Sequence, residues 1–352
     1  MFYQRPLLVI GGVALDITAT ASTNTNNGIQ SLLHTSTPGI VRQTLGGVGR
    51  NVCEAALRTG TSSILYSAIG NDLAGSTILK GMTDMNMDTS LLDVLPTKAT
   101  AVYNAFHSKD GQLITAVADM DIFDSLSMNK LQDVFKKFHP SLVCFDGNIT
   151  AKAMEMVTST CVSFGVPAFF EPTSIPKSLK IFDSSKTLLS GAIQYTSPNQ
   201  FELEGMVDQA KTRFQSSSTE KSMLQYPVLP TNAPPIAHQT LPDALYLSNY
   251  IPHIITKLGE YGCLYVGPKQ GQKHQKSMHY FTPEFLDPDT VKSVTGAGDS
   301  FVGTILANLV KNPFPEDLNI WQRIIPFGQQ AAIRTLQSDL AVSPLIDKDL
   351  LL

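Results

Sequence analysis

The feature that most constrains this chain is a recurrence. Short apolar runs without strict alternation, each bounded by Gly, Pro or Asn, stand between stretches of helical period. The runs cover residues 7–10, 63–68, 141–145, 167–170, 254–256 and 263–266, and the helical stretches include 50–58, 74–85, 130–138, 151–164 and 300–310. A strand that reads apolar at consecutive positions is buried on both faces, as in a parallel sheet covered by helices. Strands alternating with helices of this length predict a doubly wound α/β architecture, a three-layer α/β/α sandwich.

Two segments break the rhythm. Residues 14–45 and 99–119 are rich in Thr, Ala and Val in alternation, and the second carries Lys109-Asp110-Gly111, a hairpin turn sequence. Both are expected to form strands of a small accessory sheet. Residues 216–242 are Ser/Pro-rich and aperiodic and are expected to be a mobile surface insertion within one domain spanning residues 1–352.

Composition removes several function classes. Lys plus Arg number 26 against 30 Asp plus Glu, a net charge of −4, so there is no basic excess for nucleic acid. No apolar run approaches the ~20 residues of a membrane helix. The four cysteines, Cys53, Cys144, Cys161 and Cys263, show no C-x-x-C pair and no zinc spacing, which suits reduced, buried thiols and a cytoplasmic protein. The N-terminus runs directly into the first expected strand, so no targeting peptide is expected ahead of it.

The strongest local signal is Ser293-Val294-Thr295-Gly296-Ala297-Gly298-Asp299-Ser300, followed by an apolar helical run. Glycines before a helix let backbone N–H groups converge, and the helix end adds its positive dipole, so the loop is built to hold an anion. Asp299 has two readings there: a capping carboxylate, or a base that accepts a hydroxyl proton where a phosphoryl group arrives. At an ordinary carboxylate pKa it is ionised at neutral pH. A second Gly-rich element, Gly46-Gly47-Val48-Gly49-Arg50-Asn51, also opens a helix. It lacks the dinucleotide fingerprint and the Lys-Ser/Thr ending of a Walker loop. A third, Gly11-Gly12-Val13-Ala14-Leu15-Asp16, places Asp16 just beyond the first strand, on the side where α/β sheets bind ligands, as an acceptor for sugar hydroxyls.

In their order and spacing, these elements with Ser197-Pro198-Asn199-Gln200-Phe201-Glu202 between them resemble the ribokinase/PfkB family of carbohydrate and nucleoside kinases, over nearly the whole chain. The resemblance implies a ribokinase-like fold with a β-sheet lid, and ATP and Mg²⁺ as cofactors. It places the sugar at Asp16, Gly46, Gly47 and Asn51. Magnesium and phosphate fall on Asn199 and Glu202. The anion hole and base fall on Gly296, Ala297, Gly298 and Asp299, beside Thr295, and the nucleotide lies along Lys257, Gly259 and Gly262. Ser293 stands where many relatives carry Asp, which leaves a monovalent-cation site an open question.

Within the family, Gly-Gly-Val-Gly-Arg-Asn, Asp146-Gly147-Asn148, Phe170-Glu171-Pro172-Thr173-Ser174 and Leu336-Gln337-Ser338 ahead of Ala341-Val342-Ser343-Pro344 look most like the pseudouridine-kinase branch. This implies 5′-phosphorylation of pseudouridine, with Asn148 reading the base or ribose. Glu171 joins the substrate side as a carboxylate of the phosphate and magnesium network, in preference to one that satisfies backbone donors. A homodimer through the lid and a fused or partner pseudouridine-5′-phosphate glycosidase belong to the same expectation, with neither nucleic acid nor membrane as partner. The rivals are a kinase for adenosine, ribose or another sugar, and a non-catalytic binding protein on the same fold.

Overall fold

The computed structural model describes residues 5–22, 34, 36–214, 229–312 and 317–352. Strands are β1 (Leu7–Ile10), β2 (Ala14–Ala21), β3 (Gly39–Gly46), β4 (Ser63–Gly70), β5 (Leu92–Leu95), β6 (Val102–His107), β7 (Leu113–Asp119), β8 (Leu142–Asp146), β9 (Ala168–Glu171), β10 (Ile193–Thr196), β11 (His253–Lys257), β12 (Cys263–Lys269) and β13 (Gln272–Phe281). Helices are α1 (Val48–Thr59), α2 (Leu73–Asp84), α3 (Leu131–Phe138), α4 (Ala151–Phe164), the single turns α5 (Ile175–Ser178) and α6 (Ser185–Leu188), α7 (Gln200–Arg213), α8 (Pro235–Leu247), α9 (Ala297–Lys311) and α10 (Leu318–Leu336).

Nine strands form one sheet in the order β13-β12-β11-β10-β9-β8-β1-β4-β5. From β11 to β5 every pairing is parallel, and β12 and β13 close one edge antiparallel. Side chains alternate across the pleat, so each strand feeds two cores. Leu8, Ile10, Val143, Phe145 and Phe170 pack on one face with residues of α3, α4, α7 and α8. Leu7, Val9, Cys144, Phe169 and Ile255 pack on the other with α1, α9 and α10. That is the three-layer sandwich, and it explains why these strands read as unbroken apolar runs. Trp321 fills the second core, its ring 4.7 Å from that of Tyr265. All four cysteines are buried and free.

The accessory sheet has the order β3-β2-β6-β7 and comes from the two alternating segments. The turn at Lys109-Asp110-Gly111 joins β6 to β7, with Gly111 at φ 85°. One expectation is corrected. Residues 235–242, assigned to the mobile insertion, form most of α8, with Ala237 fully buried in the core. Pro235 sits at the first helical position, where a missing N–H costs nothing, and Pro242 is tolerated inside the helix because core contacts of Ala237, Ala244 and Leu247 hold it. Residues 216–228 of that segment lie outside the described residues, as do 23–33 of the first lid segment.

Candidate active site

The parallel strands end along one edge, and the chemistry-bearing residues gather there. β1 runs into Gly11-Gly12, β8 ends on Asp146, β9 on Glu171, β10 leads to Asn199 and β11 ends on Lys257. The chain leaves β1 toward β4 on one side and returns to β8 on the other, a topological switch where open α/β sheets bind ligands. Asp146 Oδ2 spans that crevice, accepting from the Gly12 N–H at 2.8 Å, while its Oδ1 accepts from the Asn148 N–H at 2.8 Å. Thr173, β-branched yet at φ 71°, is strained, and its Oγ1 accepts from the Gly147 N–H at 3.0 Å, tying the β8 and β9 ends together.

Gly296 is the N-cap of α9 at φ 77°, and a Cβ there would lie 1.8 Å from the Ala341 carbonyl oxygen. Only glycine fits, which is why the loop turns sharply enough to leave the N–H groups of Ala297 and Gly298 at the helix end without intrahelical partners. Asp299 lies in the first turn of α9, and no side chain caps this helix end. Its carboxylate is aimed elsewhere: Oδ2 accepts from Asn51 Nδ2 at 2.7 Å. The capping reading is therefore excluded. The assumption of an ordinary pKa is corrected as well, because burial raises that of Asp299, while the Asn51 hydrogen bond, Lys257 and Arg50 hold it down.

Asp16 belongs to β2 and rests against Gly46, whose Cα leaves no room for a Cβ, which would sit 2.1 Å from Asp16 Oδ2. Burial lifts the Asp16 pKa to about 6, against the pull of Arg50. Gly47, at φ 92°, lies against the Gly12 carbonyl and starts α1, which carries Asn51.

Two cavities flank the 291–298 segment. The first, of 890 Å³, is bounded by Lys257, Gly259, Gly262, Phe285, Ala297 and Gly298. The second, of 620 Å³, lies under the lid and is bounded by Asp16, Arg42, Tyr103, His107, Ser293 and Thr295. The lid residues of the second share one face by register: Asp16 pairs with Thr44 and Tyr103, Thr18 with Arg42 and Ala105, Thr20 with Ile40 and His107. Arg42 reaches Asp339 at 2.7 Å across the cavity rim. Tyr103, Arg42 and His107 escaped the sequence reading, although the alternation in β2 and β6 carried the signal.

Glu171 is buried; its Oε1 accepts from Lys257 Nζ at 3.1 Å and its Oε2 has no partner among the described residues. It therefore does not serve backbone donors. Burial, partly offset by Lys257, lifts its pKa to about 8. Asn199 and Glu202 form a capping box on α7: Asn199 Oδ1 accepts from the Phe201 and Glu202 N–H groups at 2.9 Å, and Glu202 Oε2 accepts from the Asn199 N–H at 2.8 Å. Asn148 lies outside both cavity walls, its Oδ1 accepting from Lys177 Nζ at 2.6 Å. Ser293 Oγ accepts from the Thr295 N–H at 3.2 Å.

Among the described residues no cluster of three or more His, Cys, Asp or Glu forms a metal cage. Mg²⁺ needs none, since it binds one or two carboxylates together with nucleotide phosphates and water. The partnerless Glu171 Oε2, with Glu202 close enough to perturb its titration, is an all-oxygen donor set that fits such a hard cation.

The glycine-opened N-terminus of α9 thus lies between two cavities, with the Asp299 carboxylate in its first turn. Residues 8–347 match the model of the pfkB family carbohydrate kinases, and the chain belongs to that family, which transfers phosphate to alcohol acceptors. It is 29% identical over 97% of its length to a "Pseudouridine-metabolizing bifunctional protein" of Schizosaccharomyces pombe, of which it spans 47%. It is 24% identical to "Pseudouridine kinase" of Arabidopsis thaliana, covering 98% of this chain and 94% of that one. The fold also superimposes on Arabidopsis thaliana ribokinase complexed with ribose and ATP, with a TM-score of 0.70 at 16% identity over 98% of this chain and 97% of that one. No helix among the described residues is long and apolar enough to cross a membrane.

Proposed function

We propose that this chain transfers the γ-phosphoryl group of ATP to the 5′-hydroxyl of pseudouridine. The observation that carries the reading is the placement of Asp299 in the first turn of α9, directly after Ala297 and Gly298 in the wall of the first cavity, with its carboxylate fixed by Asn51 and left out of helix capping. The apolar cavity beside Lys257, Gly259 and Gly262 takes the nucleotide. The cavity under the lid, which Asp16, Thr18, Arg42 and Tyr103 help to line, takes the nucleoside, with Asp16 accepting from ribose hydroxyls. Asp299 receives the proton of the 5′-hydroxyl as its oxygen bonds to phosphorus and the bond from phosphorus to the ADP oxygen breaks. The N–H groups of Ala297 and Gly298 and the Lys257 ammonium stabilise charge on the transferred group. Glu171 and Glu202 would hold magnesium bound with the nucleotide, which would supply neutralisation of phosphate charge. The lid excludes water, which would otherwise compete as acceptor.

The choice of pseudouridine draws on the names of the two curated relatives and on the Gly46–Asn51, Asp146–Asn148 and Phe170–Ser174 elements. Incubating the protein with ATP, Mg²⁺ and pseudouridine, adenosine or ribose in turn, and reading phosphate ester by mass spectrometry, tests it. The 5′-phosphate of pseudouridine is the expected main product. Consumption of ribose or adenosine with pseudouridine untouched overturns the acceptor, and no ester from any acceptor overturns the kinase.

A further inference from the structure

The phosphoryl-transfer reading makes no use of Arg50, yet this is the most enclosed cation beside the site. Its residue is 2% exposed. The guanidinium bonds the Glu54 carboxylate, the Leu45 carbonyl and the Asn51 Oδ1, with a longer contact to the Gly46 carbonyl at 3.4 Å. Glu54 is held in turn by Arg58 at 2.7 Å. A substrate cannot reach such a group, so charge recognition does not account for it.

What it does account for is the orientation of Asn51. A carboxamide has an accepting end and a donating end of nearly equal size, and its neighbours decide which points where. Arginine has five donors and no acceptor, so it takes the oxygen of Asn51 and leaves the NH₂ facing the other way. The other way is Asp299, whose Oδ2 accepts from Asn51 Nδ2 at 2.7 Å. Without the guanidinium the amide is free to turn its oxygen toward the carboxylate, which would repel the base it now steadies.

We propose that Arg50 is a positioning residue for the phosphoryl-transfer base, acting through a fixed chain from Glu54 to Arg50 to Asn51 to Asp299. The proposal rests on Asp299 being that base. The same guanidinium lies close enough to favour the charged forms of both Asp16 and Asp299. The charged groups facing Asp299 are Arg50 from α1, Lys257 from β11, Asp146 from β8, Asp16 from β2 and Glu171 from β9. Arg50 and Lys257 are the two cations in that set.

The test has one arm that needs no substrate. The Asp299 carboxyl is titrated by carbon-13 NMR in the free protein, its signal assigned by its loss in Asp299→Asn. Replacing Arg50 by Met moves that titration up by about one pH unit. The second arm measures kcat and KM against pH with whichever panel acceptor the wild type uses. Arg50→Met is expected to lower kcat about 10- to 100-fold, with KM changed less than about threefold, because a displaced base costs rate rather than binding. The acid limb of its profile moves in step with the NMR titration. Arg50→Lys keeps the charge and loses the planar fork, so it restores the acid limb while kcat stays low. A folded Arg50→Met protein with an unmoved titration and acid limb overturns the proposal. Should that variant not fold, Glu54→Gln decides: it removes the countercharge, leaves the Leu45, Asn51 and Gly46 contacts, and shifts the acid limb to lower pH. A limb that stays or rises there overturns the proposal too. A wild type that transfers phosphate to no panel acceptor, with the titration still shifted by Arg50→Met, would break the kinase reading and leave the positioning chain standing.

Discussion

The central sheet and the lid sheet are built by opposite rules. β1, β4, β8 and β9 are buried at every position, whereas β3 is exposed along most of its length and β7 is mostly exposed in alternation. The central strands have helices on both faces, so their ends are held by two cores and cannot drift. The lid strands have a cavity on one face, and their order rests on backbone pairing more than on burial. The candidate site divides along the same line. Asp299, Gly296, Glu171 and Lys257 sit on the rigid side, and Arg42, Tyr103 and His107 sit on the lid, with Asp16 at the seam where β2 leaves β1. Chemistry should therefore be sensitive to small changes on the sheet side, and acceptor binding should respond, more mildly, to changes on the lid.

The largest effect is expected on the sheet side. Asp299→Asn keeps the shape and removes the proton acceptor, and kcat should fall about 10²- to 10⁴-fold with a smaller change in KM. Steady-state kinetics and a nucleotide-binding titration on the same preparation check this. Near-normal turnover by the variant would sink the base assignment and leave both sides of the comparison equal.

How much of this division was legible in the sequence follows from the same physics. The unbroken runs at 7–10, 63–68 and 141–145 exposed the two-sided burial, and Gly296 exposed a backbone position that no other residue can occupy. β10 and β13 lacked such a signal. β10 alternates a half-buried Gln194 into its run, and β13 reads QKHQKSMHYF because it is an edge strand, paired on one side alone. The helix at Pro235 was hidden by its prolines, whose propensity is overridden by tertiary burial. The link between Asn51 and Asp299 spans 248 residues, and no local pattern shows which end of an amide faces which partner. The lid face could be read in principle, since alternation in ALDITATA aligns Asp16, Thr18 and Thr20, but its pairing with Arg42 and Tyr103 is a matter of register.

An intermediate effect is expected at the seam. Asp16 accepts best when ionised, and burial raises its pKa to about 6, so the wild-type KM for the acceptor should fall as pH rises through that value. Asp16→Asn should raise KM about 10- to 100-fold, the size of a lost charge-assisted hydrogen bond, and flatten that pH dependence. The raised pKa also gives the stability sign. Between about 4 and 6 the native state holds the proton more tightly than the unfolded chain, so Asp16 contributes less stability as pH rises through the window. Asp16→Asn should therefore melt higher than wild type at pH 7, in thermal denaturation of the ligand-free protein, while binding acceptor worse.

The smallest effect is expected on the lid itself. Arg42 and Asp339 pair at 2.7 Å across the cavity rim, but their side chains are 61% and 57% exposed. An ion pair so open to water is worth ~0.2–1 kcal/mol and weakens with salt. Lys292, 4.0 Å from the same Asp339, competes for it. Arg42→Ala should therefore raise the acceptor KM no more than about fivefold and leave kcat and melting temperature near wild type. The Arg42→Ala and Asp339→Ala pair should be non-additive in a double-mutant cycle, with coupling that fades between low and high salt. A loss in kcat as large as that of Asp299→Asn would mean the lid is part of the chemical apparatus, and the division between a rigid catalytic edge and a tunable cover would fail.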